Sequence, residues 1–130
     1  MTPTDPASIE PFPAGLPATP REPDGRYRYR HYVDGRFADP VDGGWMDTED
    51  PVAGESWARV PRGSAADAEA AVLAARRAFA AGAWPALTAS QRGALLRRLG
   101  DLISTHGEWL ARVEMKDNGK LYAELAMQMR

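Results

Sequence analysis

The sequence predicts a mainly α-helical chain entered through a short extended region containing a β-hairpin. Three observations carry this. Apolar residues recur with helical spacing from residue 64 onward, turn dipeptides punctuate residues 26–63, and Ser or Thr caps open the helical stretches that glycines close.

Residues 1–25 hold seven of the eleven prolines: Pro3, Pro6, Pro11, Pro13, Pro17, Pro20 and Pro23. Proline removes backbone donors and blocks helix, and only scattered apolar residues such as Ile9, Phe12 and Leu16 accompany it. This stretch reads as a disordered arm. Arg26-Tyr27-Arg28-Tyr29-Arg30 then alternates long basic and aromatic side chains, and Tyr32-Val33 continues with strong β formers. Asp34-Gly35 supplies the two positive-φ positions of a tight hairpin turn, with Arg36-Phe37 starting the return. Asp42-Gly43-Gly44 and Asp50-Pro51-Val52-Ala53-Gly54 are further turns, bracketing extended pieces at Trp45–Thr48 and Ser56–Val60.

Ser64 caps the first helix, with Asp67 near its positive end. Ala68, Val72, Ala75 and Phe79 share one face, and Gly82 suits a left-handed cap. A connector around Trp84 follows. Thr88-x-x-Gln91 is a capping box before Leu95, Leu96, Leu99, Leu102 and Ile103, an amphipathic stripe that reads as core. Arg92, Arg97, Arg98 and Asp101 take much of the other side. His106-Gly107 ends that helix. A shorter one carries Trp109, Leu110 and Val113 and stops at Asn118-Gly119. A last helix begins near Lys120 or Leu121, with Tyr122, Leu125 and Met129 on one face and no stop signal before Arg130. Its apolar side chains have no following element to cover them, which reads as a truncated chain. The helices are expected over about 64–81, 89–106, 108–117 and 120–130.

Composition bounds the function. At 130 residues, 44% hydrophobic and 26% charged, the chain fits one ordinary soluble domain. A net charge of −2 gives no general pull towards nucleic acid or anionic membrane. No apolar run is long enough to span a bilayer, and no secretory signal precedes the fold, so the cytoplasm is the expected compartment. There is no cysteine, which excludes a thiol nucleophile and a thiolate metal site on this chain.

Catalytic constellations are largely missing. No Gly-x-Gly-x-x-Gly and no Walker-type loop offers a phosphate cradle. His31 and His106 lack metal-ligand spacing and read as surface histidines. Arginine and tyrosine in Arg26–His31 have the chemistry of a nucleic-acid patch, but the helical part has no matching basic face; solvated arginines on a strand are the better reading. Glu49-Asp50 and Asp67 with Glu69 lie in a turn and at a helix start, where carboxylates serve backbone donors.

Taken in order, the segments resemble the N-terminus of the aldehyde dehydrogenase superfamily. Tyr32-Val33-Asp34-Gly35-Arg36-Phe37 is similar to its opening hairpin. Asp50-Pro51-Val52-Ala53-Gly54-Glu55 resembles its Asn-Pro-Ala-Thr-Gly-Glu turn, and Val60-Pro61-Arg62-Gly63-Ser64 its strand-to-helix junction. Asp117-Asn118-Gly119-Lys120 matches the family's Asp-Asn-Gly-Lys segment as it stands. The likeness covers roughly residues 29–130. Two departures are visible: Asp50 stands where asparagine is usual, and Val52-Ala53 replaces Ala-Thr. Asp imitates Asn in a turn by bonding its own backbone.

The resemblance implies an α/β, Rossmann-type parent fold of which residues 26–130 form the N-terminal part of the dinucleotide-binding domain. It implies an enzyme that oxidises an aldehyde to a carboxylic acid with NAD or NADP, as a homodimer or homotetramer. In that family a cysteine attacks the aldehyde, hydride passes to the nicotinamide to leave a thioester, and a glutamate-activated water releases the acid. None of those groups matches a position here, so this chain alone is expected to be inactive and to bind no cofactor. The resemblance also implies a monovalent cation held by the backbone of Thr48 and Glu49 with the Asp117 carboxylate, hard oxygen ligands suited to such an ion. The alternative is a non-catalytic helical module that binds a partner through its exposed C-terminal apolar patch.

Overall fold

The computed structural model describes residues 19–129. The element order is β1 (Tyr27–Arg28), β2 (His31–Val33), β3 (Arg36–Ala38), β4 (Trp45–Asp50), β5 (Glu55–Pro61), α1 (Ala65–Ala81), α2 (Ala83–Ala86), α3 (Ala89–Thr105), α4 (Gly107–Asn118) and α5 (Tyr122–Gln128). β1, β5 and β4 form a three-stranded sheet in that order, and β2–β3 a separate two-stranded one. The described chain divides into two units, one of residues 19–48 and 57–95, the other of 49–56 and 96–129.

In the first unit β5 is the central strand, which is why Trp57 and Ala58, pointing to opposite faces, are both buried. β1 pairs parallel to β5, Tyr27 opposite Ala58 and Arg28 opposite Arg59. The alternation of the basic-aromatic stretch sends Tyr27 and Tyr29 to one side, where both rings meet Trp57 edge-on at 6.1 and 6.0 Å. Its arginines are not merely solvated. Arg26 bridges Asp24 and Asp47, Arg30 reaches Asp39 at 2.8 Å, and Arg28 lies between Glu22 and Asp39.

The expected arm needs a correction at its end. Residues 1–18 lie outside those described, but residues 19–25 are folded onto β1. Arg21 bridges to Tyr27, its guanidinium stacks 4.0 Å from the tyrosine ring, and the Arg28 N–H donates to the Pro20 carbonyl.

Asp34 and Gly35 take φ of 54° and 75°, the positive values that a two-residue hairpin turn demands. The turn sets the register Tyr32 opposite Phe37, whose rings contact at 5.1 Å. β2 packs on α1. The side of α1 turned inward carries Asp67, Ala71 and Ala74, small residues that let the helix approach the hairpin closely. The larger face of Val72 and Phe79 is exposed, Phe79 at 83%. Gly82 is extended at φ −76°, not left-handed; glycine is needed there because a Cβ would collide with the Ala78 carbonyl. The Trp84 connector is itself one helical turn, α2.

Thr88 and Gln91 cap α3 reciprocally at 2.8 and 3.3 Å. Its apolar stripe is not core within this chain. Leu95, Leu96, Leu99, Leu102 and Ile103 are between 39% and 58% exposed, and no residue of α3 is buried.

In the second unit α4 and α5 pack together. Gly119 closes α4 in the left-handed conformation, φ 73°. The chain then doubles back, bringing the end of α5 to the start of α4. A Cβ on Gly107 would lie 2.9 Å from the Met129 carbonyl oxygen, so only glycine admits this approach. Ala111 and Leu125 are fully buried between the two helices. The final helix is therefore covered at Leu125, contrary to expectation, while Leu121 and Met127 remain exposed.

Candidate functional site

The candidate cation ligands sit at the end of β4 and in the last turn of α4. Thr48, in the first unit, is half-buried; Glu49 and Asp117, in the second, are exposed. Beside them, within the second unit, two segments far apart in sequence meet. The Lys116 ammonium donates to Asp50 Oδ2 at 3.2 Å, and Pro51 packs against Gly119. Among the described residues no group of three or more His, Asp or Glu side chains is arranged around a metal position.

Asp50 does what a turn asparagine does and more. Its Oδ1 accepts the N–H groups of Val52 at 2.9 Å and Ala53 at 3.2 Å. Burial pushes its carboxyl up, but those two N–H groups and the Lys116 ammonium outweigh burial and hold it below the ordinary carboxylate value. Sequence reasoning took Asp50 only as a turn former and missed Lys116. The available signal was a charged residue at a position where the neutral amide suffices.

A second feature lies wholly in the first unit. The β2–β3 hairpin and α1 enclose an open cavity of 580 Å³ lined by His31, Asp34, Arg36, Asp67, Ala71 and Arg77 among others. His31 is half-buried rather than a surface residue, and its Nε2 is enclosed without a hydrogen-bond partner. Ser64, the one hydroxyl in the lining, is committed to the helix cap. It accepts from the Asp67 N–H at 3.3 Å and donates to Asp67 Oδ2 at 2.8 Å. The Asp67 carboxylate also takes the Val41 N–H, tying the β3–β4 loop to the start of α1. These contacts organise structure; they leave no activated nucleophile.

The model of the aldehyde dehydrogenase family matches residues 37–130. The chain belongs to that family. Over 92 residues it is 44% identical to aldehyde dehydrogenase family 2 member B4, mitochondrial, of Arabidopsis thaliana, covering 71% of this chain and 17% of that protein. It is 37% identical over 102 residues to (Z)-2-((N-methylformamido)methylene)-5-hydroxybutyrolactone dehydrogenase of Acinetobacter baylyi, covering 78% of this chain and 20% of the other. Among solved structures it is similar to the NAD-dependent aldehyde dehydrogenase of Sinorhizobium meliloti, with a TM-score of 0.76, 36% identity and coverage of 83% and 22%. The betaine aldehyde dehydrogenase of Staphylococcus aureus in complex with NAD+ gives 0.74, 40%, 77% and 20%. The chain thus spans about a fifth of the length of its relatives. The chain is mainly helical with strands preceding the helices, in keeping with the α/β fold class of that family. None of its described helices is long and apolar enough to cross a membrane.

Proposed function

We propose that this chain is the N-terminal part of the dinucleotide-binding domain of an NAD- or NADP-dependent aldehyde dehydrogenase, acting in a homodimer or homotetramer of the whole enzyme in the cytoplasm. Its own contribution is structural: the hairpin and helices form an outer layer that leans on the remaining sheet. The thioester chemistry and cofactor binding belong to residues beyond this chain, which has no cysteine and no glycine-rich phosphate loop.

The observation that carries this reading is the α3 stripe. Burying one such side chain is worth roughly 1.5–3 kcal/mol, so five on one helix left open to water argue for a covering layer supplied from elsewhere. Support also comes from the aldehyde dehydrogenase family match over residues 37–130.

The test is a chimera in which residues 37–130 replace the matching stretch of the Sinorhizobium meliloti enzyme. It should reduce NAD with an aldehyde, whereas the chain alone should not. Leu99→Asp in the chimera should abolish soluble, active protein. Turnover by the isolated chain, or a chimera indifferent to Leu99→Asp, would overturn the proposal.

A cation belongs to the same reading. The Thr48 and Glu49 carbonyls with the Asp117 carboxylate are hard oxygen donors of the kind potassium or sodium accepts. Diffraction from the chimera grown in potassium or sodium should reveal an ion there, and its absence would remove the idea.

A further inference from the structure

The β4–β5 turn and the end of α4 are held together by residues that the fold, not the local sequence, makes neighbours. Asp50 uses one carboxylate oxygen for the turn, accepting the Val52 and Ala53 N–H groups, and the other for Lys116 Nζ at 3.2 Å. The two side chains retain only 10% and 21% exposure. Three residues after Lys116, a Cβ on Gly119 would lie 2.8 Å from Pro51 Cγ, so the helix cap and the proline ring touch directly.

We propose that Asp50 and Lys116 form a paired lock that makes the β4–β5 turn and the C-terminal turn of α4 one rigid element. The turn itself needs no charge, because an asparagine oxygen accepts the same two N–H groups. A neutral amide also burys more easily than a carboxylate. The negative charge at position 50 has its counterpart in the Lys116 cation opposite it on α4. Breaking a largely buried pair leaves one charge uncompensated, while removing both charges does not. The two residues therefore act as a unit. This inference stands on the geometry of the turn and helix and is independent of the dehydrogenase reading.

The experiment is a double-mutant cycle of Asp50→Asn and Lys116→Met in the full 130-residue chain. It is read by hydrogen exchange at the Val52, Ala53 and Gly54 amides and by the nuclear Overhauser contact between Pro51 and Gly119. Lys116→Met should speed exchange of the turn amides about tenfold and weaken the contact. In the Asp50→Asn background the same change should do nothing further, and Lys116→Arg should keep protection. Independent, multiplying effects of the two substitutions would overturn the lock, as would an unchanged turn in Lys116→Met. Should Lys116→Met fail to fold, pulse proteolysis of Lys116→Arg and Lys116→Gln decides: resistance kept in the first and lost in the second supports the lock, and equal behaviour overturns it.

Discussion

Gly119 and Gly100 show how differently one residue type is used. Gly119 sits at φ 73° with Pro51 against its Cα, whereas a Cβ at Gly100, inside α3, would meet open space. Gly119→Ala should therefore destabilise by about 1–2 kcal/mol from backbone conformation alone, before the clash with Pro51 is added. Gly100→Ala should stabilise by about 0.5–1 kcal/mol, because alanine loses less freedom in a helix. Urea melts of the two variants check both, and equal shifts would contradict the assignment. Asp67 gives a pH signature. The Ser64 N–H and then its hydroxyl outweigh burial, with the Val41 N–H and His31 adding, so its carboxyl is held below the ordinary value. A folded-state pKa below the unfolded one contributes stability that is fully present above about pH 4 and fades as pH falls through the lower value. The gap in Tm between the wild-type chain and Asp67→Asn should accordingly be constant from neutral pH to about pH 5 and close in stronger acid.

Elements whose signals lie within a few residues were legible from sequence. Asp34-Gly35 turns, Ser64 and Thr88 cap, and Gly119 closes α4, because each is decided by chemistry reaching no further than four positions along the chain. What long-range pairing decides was not. The parallel match of β1 to β5 and the docking of Arg21 on Tyr27 leave no periodic trace. The helical pattern of α1 was visible, but which face turns inward was hidden by its alanines: Ala71 and Ala74 win the inner side by being small, not by being the most apolar. Thr48, Glu49 and Asp117 entered as cation ligands through the resemblance alone, while the Lys116 link to Asp50 spans 66 residues and left no local sign in the sequence. The α4–α5 pair offers its own test. Ala111 is fully buried there, so Ala111→Leu should overpack the pair and destabilise by about 1–3 kcal/mol; an unchanged melting point would mean the helices are not in close contact.

For the molecule as a whole, many of the large apolar side chains of the described residues lie exposed on α1 and α3. Replacing Val72, Phe79 and Leu99 together by Lys should leave the melting point of the isolated chain within about 0.5 kcal/mol equivalent per site, since each is more than half exposed. The same change should reduce concentration-dependent association in sedimentation velocity; unaltered association would place the sticky surface elsewhere. The two-sided character of α1 carries one more consequence, for anyone cataloguing variants. Accessibility is ordinarily taken as licence to vary. Phe79 and Val72 invert that rule within any larger polypeptide that roofs them over: a deep mutational scan of such a host would find the positions now most open to water among the least forgiving, and Glu69, exposed on the same helix, among the most.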